Sequence, residues 1–212
     1  MITVLVDYGS GNLHSAEKAV PRMAVETGAG EVLVSTAPED VARADRIVLP
    51  GDGAFPACSR ALRSRSGLHE ALVEAVEQHG RPFLGICVGM QLMATTGHEY
   101  EEMPGLGWIG GDVVRIAPAE PALKVPHMGW NDLVIDRPHP VLDGIGTGDH
   151  AYFVHSYHMR VHDTVQRLAH CDYGGDITAI VGRGTMVGTQ FHPEKSQEAG
   201  LRLIANFLRW RP

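Results

Sequence analysis

The chain of 212 residues carries 18 Lys+Arg against 25 Asp+Glu, a formal charge of −7, with 44% hydrophobic and 20% charged residues. This is ordinary globular usage: it gives no support to a disordered, collagen-like or coiled-coil chain, and the absence of a clustered basic face argues against nucleic acid as a partner. Residues 1–6 run into Asp7 without a basic leader, no stretch has the unbroken apolar length of a membrane span, and Cys58, Cys87 and Cys171 form no CxxC pair. The expectation is one soluble domain over residues 1–212 in a reducing cytoplasm, with no membrane contact.

Short β-rich runs at 2–6, 31–35, 46–49 and 82–86 alternate with amphipathic stretches, the rhythm of a parallel α/β sheet. Between the last two, Leu68, Ala71, Leu72, Ala75 and Val76 recur at helical spacing until Gly80 and Pro82 stop the pattern, which predicts a helix with one face on the sheet. From Trp108 the texture changes to strands separated by glycine turns, at 112–116, 132–135, 152–155, 167–171, 177–181 and 186–190, where antiparallel pairing is expected. Leu201, Ile204, Ala205 and Leu208 mark a closing helix that docks back on the sheet. The fold class is therefore α/β: a mixed, largely parallel central sheet flanked by helices, with an added antiparallel section. No internal repeat or low-complexity linker divides the chain.

Residues 82–92 combine an apolar strand, a Gly-X-Cys-X-Gly turn and a helix-like continuation, the pattern of a nucleophile elbow. Gly85 and Gly89 let the chain turn sharply and leave the Cys87 sulfur exposed at the carboxyl end of the strand. The following helix aims its first amides at that sulfur and favours thiolate, and the Val88 N–H is a donor for an oxyanion formed beside it. A lone cysteine usually reads as a small buried apolar residue; Cys58 and Cys171 keep that reading, whereas the flanking glycines reverse it for Cys87. Among twelve histidines, context selects His192, at the end of a predicted strand with Glu194 two residues on. If the chain stays extended through Pro193, the carboxylate projects to the same side and orients the imidazole. Taken alone, this segment reads equally well as a strand exit with a solvated carboxylate. The two motifs together make Cys87, His192 and Glu194 a candidate triad.

Segments 85–91 and 191–194 resemble the nucleophile and His/Glu motifs of the class I glutamine amidotransferases. Segments 7–13, 126–131 and 152–157 are similar to those of the glutaminase subunits of imidazole glycerol phosphate synthases, in the same order over nearly the whole chain. The resemblance implies a class I amidotransferase-like fold, hydrolysis of glutamine to glutamate and ammonia through a thioester, and no metal or organic cofactor. It implies a heterodimer partner, a (β/α)8-barrel cyclase that uses the ammonia to make imidazole glycerol phosphate and aminoimidazole carboxamide ribotide in histidine biosynthesis. It also implies that the loop 49–55 is the second oxyanion element, with Gly51 and Gly53 against the substrate and the Asp52 N–H as donor. Val is commoner than Asp at that position, and a carboxylate aimed into the hole would oppose the oxyanion, so the Asp52 side chain is expected to point away. Glycine on both sides tolerates positive φ, and the Asp52 peptide is expected to face the hole only in the assembled, ligand-bound complex. By the same resemblance Gln91 and Glu99 meet the polar ends of the substrate, and His155, Ser156 and Tyr157 form a second glutamine-binding segment. Tyr8, Asn12, Met128, Trp130, Asn131 and Lys195 fall at the partner interface.

A phosphate cradle at 9–12 lacks the third glycine and the P-loop lysine. A metal at His155, His158 and His162 is disfavoured because an alternating strand through 152–159 scatters the rings over both faces. Trp130 reads as core or as an interface anchor. For the whole chain, a glutaminase serving a different synthase is opposed by Trp130, Lys195 and the loop after Tyr8; a catalytically silent regulatory relative is opposed by the intact Cys87, His192 and Glu194.

Overall fold

The computed structural model describes residues 1–11 and 13–212. Its first half supplies the parallel strands β1 (Ile2–Val6), β2 (Glu31–Ser35), β3 (Arg46–Gly51) and β4 (Phe83–Cys87). The connections carry α1 (His14–Thr27), α2 (Pro38–Ala42), α3 (Phe55–Ser64) and α4 (Leu68–Val73), the last running into a π-helical turn, Glu74–Gln78, before Gly80 reverses the chain at φ +61°. Every residue of β3 and β4 is buried, the signature of strands covered on both faces rather than alternating between core and water.

A single helical turn, α5 (Val88–Gln91), leads to β5 (Ala94–Gly97), β6 (Met103–Pro104), β7 (Ile109–Arg115), β8 (His127–Asp132), β9 (Val134–Ile135), β10 (His150–His155) and β11 (Tyr157–Val161). The chain closes with β12 (Arg167–Asp172), β13 (Asp176–Arg183), β14 (Met186–Thr189) and α6 (Gln197–Arg209). The main sheet has the order β2-β1-β3-β4-β14-β13-β12-β9; β8 and β10 form a two-stranded ribbon, and β11-β7-β5-β6 a third sheet.

Three strand expectations change. The second half is not uniformly antiparallel: β14 is antiparallel to β13 but parallel to β4, and β7 runs parallel to β5. The turn at Gly184 (φ +56°) returns the chain beside a strand formed a hundred residues earlier, a neighbour that no local pattern reports. Residues 132–135 are two strands, separated by buried Leu133. Residues 152–159 are likewise broken at Ser156, after which the chain changes sheets.

Register places the site. Gly51, the last residue of β3, pairs with Cys87, the last of β4, and Thr189 of β14 pairs with Ile86. The segments leaving these three parallel neighbours therefore converge at the carboxyl ends of the strands, where ligands of open α/β sheets bind. The closing helix α6 buries Leu203, Ile204, Phe207 and Leu208 and packs on α1, β10 and the turn Pro193–Lys195, with Leu201 and Ala205 only half-buried. Arg46 of β3 donates to the Trp210 carbonyl at 3.2 Å and ties down the chain end. Among the described residues, no helix is long and apolar enough to cross a membrane.

Candidate active site

Cys87 closes β4 at φ +54° and ψ −111°, in a region that side chains rarely occupy. Close packing holds it there. A Cβ on Gly85 would lie 2.6 Å from the Gly89 carbonyl oxygen, and one on Gly89 would overlap the Leu49 carbonyl, so both positions must be glycine for α5 to fold back on β3 and β4. With only four residues, α5 sets the Val88 peptide beside the sulfur but carries little macrodipole, less than the sequence led us to expect. The thiol is also less open than expected: Cys87 is 5% exposed, and the Gln190 amide lies against it with Nε2 3.7 Å from Sγ.

His192 follows β14 and is locked by Ser196, whose hydroxyl donates to the His192 carbonyl at 2.6 Å and accepts from the Tyr152 N–H at 3.0 Å. The chain does not stay extended here. Pro193 presets a 3-10 turn over Pro193–Lys195, and this turn brings Glu194 Oε1 to 2.8 Å from His192 Nδ1. Both side chains are almost fully buried, at 6% and 3% exposure. Burial of the imidazole works against its charge, but the Cys87 sulfur and the Glu194 carboxylate outweigh it and push the His192 pKa up to about 10.

Cys87 faces a cavity of about 270 Å³ lined by Asp52, Gly53, Val88, Gln91, Glu99, Pro126, Val154, His155, Ser156 and Tyr157. A larger cleft of about 750 Å³ along residues 135–145 contains neither a cysteine nor any residue of the triad. Glu99 Oε2 accepts the Phe55 N–H at 2.7 Å, so this carboxylate caps α3 while it walls the cavity. Gln91 directs its Nε2 to the Tyr157 carbonyl (3.0 Å) and to Gln190 Oε1 (3.1 Å), so its donors are engaged within the wall rather than offered to a ligand. The two loop glycines differ. Gly53 has φ +115°, whereas Gly51 lies outside the left-handed region and is glycine because a Cβ would meet Gly89 N at 2.7 Å, Tyr8 Oη at 2.8 Å and Val88 Cβ at 2.9 Å. The Asp52 side chain is exposed beside Gly11, and its carbonyl accepts from Cys58 Sγ at 3.6 Å.

The Glutamine amidotransferase class-I family profile matches residues 4–210. The chain is 76% identical to the imidazole glycerol phosphate synthase subunit HisH of Cereibacter sphaeroides and 72% identical to that of Ruegeria pomeroyi, over 212 residues and the whole of both chains in each case. The chain belongs to the class-I glutamine amidotransferases, among the HisH subunits. A solved glutamine amidotransferase structure shares the fold at 22% identity, with a TM-score of 0.72 over 98% of this chain and 99% of that one.

In this amidotransferase, Met128 and Trp130 project from β8 with 62% and 46% exposure, Asn131 and Lys195 are half-buried, and Asn131 Nδ2 donates to the Asp172 carbonyl at 2.9 Å. Tyr8 departs from its expected place at the interface. It is 1% exposed, with its hydroxyl packed close against Gly51 of the glycine loop. Asn12 lies outside the described residues. The histidines expected along one strand separate: His155 is buried, His158 half-buried, and His162 bonds Asp112 at 2.8 Å on the surface. Gln190 and Ser196 were missed as site residues; their only sequence signal is their place on either side of the His192 segment.

Proposed function

We propose that this amidotransferase, acting as one domain over residues 1–212 in the cytoplasm, hydrolyses glutamine to glutamate and ammonia at Cys87. Its heterodimer partner would be a separate (β/α)8-barrel cyclase that uses the ammonia to make imidazole glycerol phosphate and aminoimidazole carboxamide ribotide in histidine biosynthesis. The observation that carries the reading is a cysteine on a strained elbow, backed by the buried His192–Glu194 pair and opening into a small cavity. The names of the HisH relatives support the choice of partner.

The chemistry follows from the order of the groups. Cys87 Sγ attacks the γ-carboxamide carbon, and the oxygen becomes an oxyanion facing the Val88 and Asp52 N–H groups. His192 passes its proton to the amide nitrogen as the C–N bond breaks, ammonia leaves, and a γ-glutamyl thioester remains. Once the sulfur is acylated, one of the two charges holding the His192 proton is gone. The buried ring then serves as a base for water, which attacks the thioester; the C–S bond breaks and glutamate leaves.

The test uses the complex with the barrel partner. Cys87→Ala should abolish glutamine-dependent product formation while leaving turnover on added ammonia intact. Loss of both would make Cys87 structural, and retention of both would reject the reading.

A further inference from the structure

Through the cavity wall and behind it runs a hydrogen-bonded chain in which chemistry fixes the direction of every bond. The Tyr157 carbonyl can only accept, and it takes His155 Nδ1–H at 2.8 Å and Gln91 Nε2–H at 3.0 Å. With its proton on Nδ1, neutral His155 presents a lone pair at Nε2, which lies 3.0 Å from His127 Nδ1; that nitrogen must therefore carry a proton. His127 Nε2 is then an acceptor and faces Asn131 Nδ2 at 3.3 Å. In the other direction, Gln91 Nε2 reaches Gln190 Oε1 at 3.1 Å, which orients the Gln190 amide with its N–H toward Cys87 Sγ at 3.7 Å.

The surroundings suit neutral rings. Burial pushes His127 down to about 4 and His155 to about 3, and a second proton on either would set two donors against each other. His127 is clamped between Tyr173, with ring centroids 4.0 Å apart, and Phe153, at 4.7 Å. It is 2% exposed and does not line the cavity.

We propose that His127 and His155 are positioning residues that hold the Gln91–Gln190 amide pair on the Cys87 sulfur, tied through His127 itself to β8, the strand that carries Met128 and Trp130. The inference rests on Cys87 being the nucleophile of the proposed function. The chain cannot relay a proton to the thiol, since both arms donate into the Tyr157 carbonyl. It fixes where the Gln190 N–H points, and thereby supplies a directed donor to a developing thiolate.

His127→Phe keeps a flat ring in the aromatic clamp and removes both nitrogens, while His127→Asn restores an amide N–H near the Nδ1 position. In the complex with the barrel partner, His127→Phe should lower kcat for glutamine hydrolysis about tenfold, the worth of one hydrogen bond lost at the reacting group, with KM little changed. His127→Asn should recover most of that loss. Full kcat in His127→Phe, or equal loss in both variants, would overturn the proposal. A measurement that needs no folded variant is imidazole 15N NMR of the wild-type protein. His127 and His155 should both appear as neutral Nδ1–H tautomers, whereas an Nε2–H tautomer on either contradicts the chain. Cys87→Ala run alongside separates the two levels of argument: undiminished glutaminase there would remove the nucleophile itself, whatever His127 does.

Discussion

A buried imidazole ordinarily gives up its proton, and burial here pushes His127 and His158 down to about 4 and His155 to about 3. His192 goes the other way. Burial opposes its charge, yet the Cys87 sulfur and the Glu194 carboxylate together raise it to about 10. The proton is thus held across the neutral range, and its contribution to stability is complete below the ordinary histidine pKa and is lost as pH rises through about 10. Catalysis should follow the same limb: kcat/KM for glutamate release holds through neutral pH and falls as pH approaches about 10. Glu194→Gln removes one of the raising charges and should move that limb toward neutrality, with a smaller loss of rate than His192→Ala, where the acid itself, worth about 10²–10⁴ in rate, is gone. A pH–rate profile that does not move in Glu194→Gln would show that the carboxylate does not hold the proton. The candidate triad could be read in the sequence because each half is local: two glycines around a cysteine, and a carboxylate two residues from a histidine. Gln190 was not, because it meets the sulfur only through the pairing of β14 with β4. Tyr8 sits in a recognisable motif, but a motif does not report which way a ring points.

The elements around the thiol are set by close approach more than by helix or strand preference. β3, β4 and α5 meet where Gly51, Gly85 and Gly89 have no side chains, and carbonyls and amides of β3 and α5 occupy the space that Cβ atoms would need. Gly51→Ala therefore presses on Gly89 N, Tyr8 Oη and Val88 Cβ together, displacing both peptides assigned to the oxyanion. Loss of one such donor costs roughly 100- to 1000-fold in kcat, and Gly51→Ala should fall in that range while Cys87 still reacts with a small alkylating agent. Gly53→Ala meets only the strain of φ +115° with open space around it and should be milder. Glutamate release and alkylation measured side by side give the comparison; unimpaired kcat in Gly51→Ala would place the oxyanion donors elsewhere. At this scale the parallel strands and the helix beginning at Leu68 were legible from apolar runs and helical spacing. The strand breaks at Leu133 and Ser156 were not, since the same alternation serves one long strand or two short strands in different sheets.

On the scale of the whole molecule, three segments distant in sequence meet at the carboxyl ends of the parallel strands: the glycine loop after β3, the elbow after β4, and the His192–Glu194 turn after β14. The β8–β10 ribbon then sets His155 to Tyr157 across the cavity and carries Met128 and Trp130 on its exposed side. Cys87 thus faces a cavity whose far wall belongs to the same part of the molecule that presents Met128 and Trp130 outward. The proposed hydrolysis turns on one covalent event, the transfer of a γ-glutamyl group to Cys87, and acid quenching during turnover with isotope-labelled glutamine, followed by peptide mass mapping, observes it directly. The label should sit on the peptide containing Cys87, and on neither Cys58 nor Cys171, whose thiols burial pushes up to about 11 and about 12. Label on Cys58 or Cys171, or on no cysteine while glutamate is released at full rate, would contradict the account.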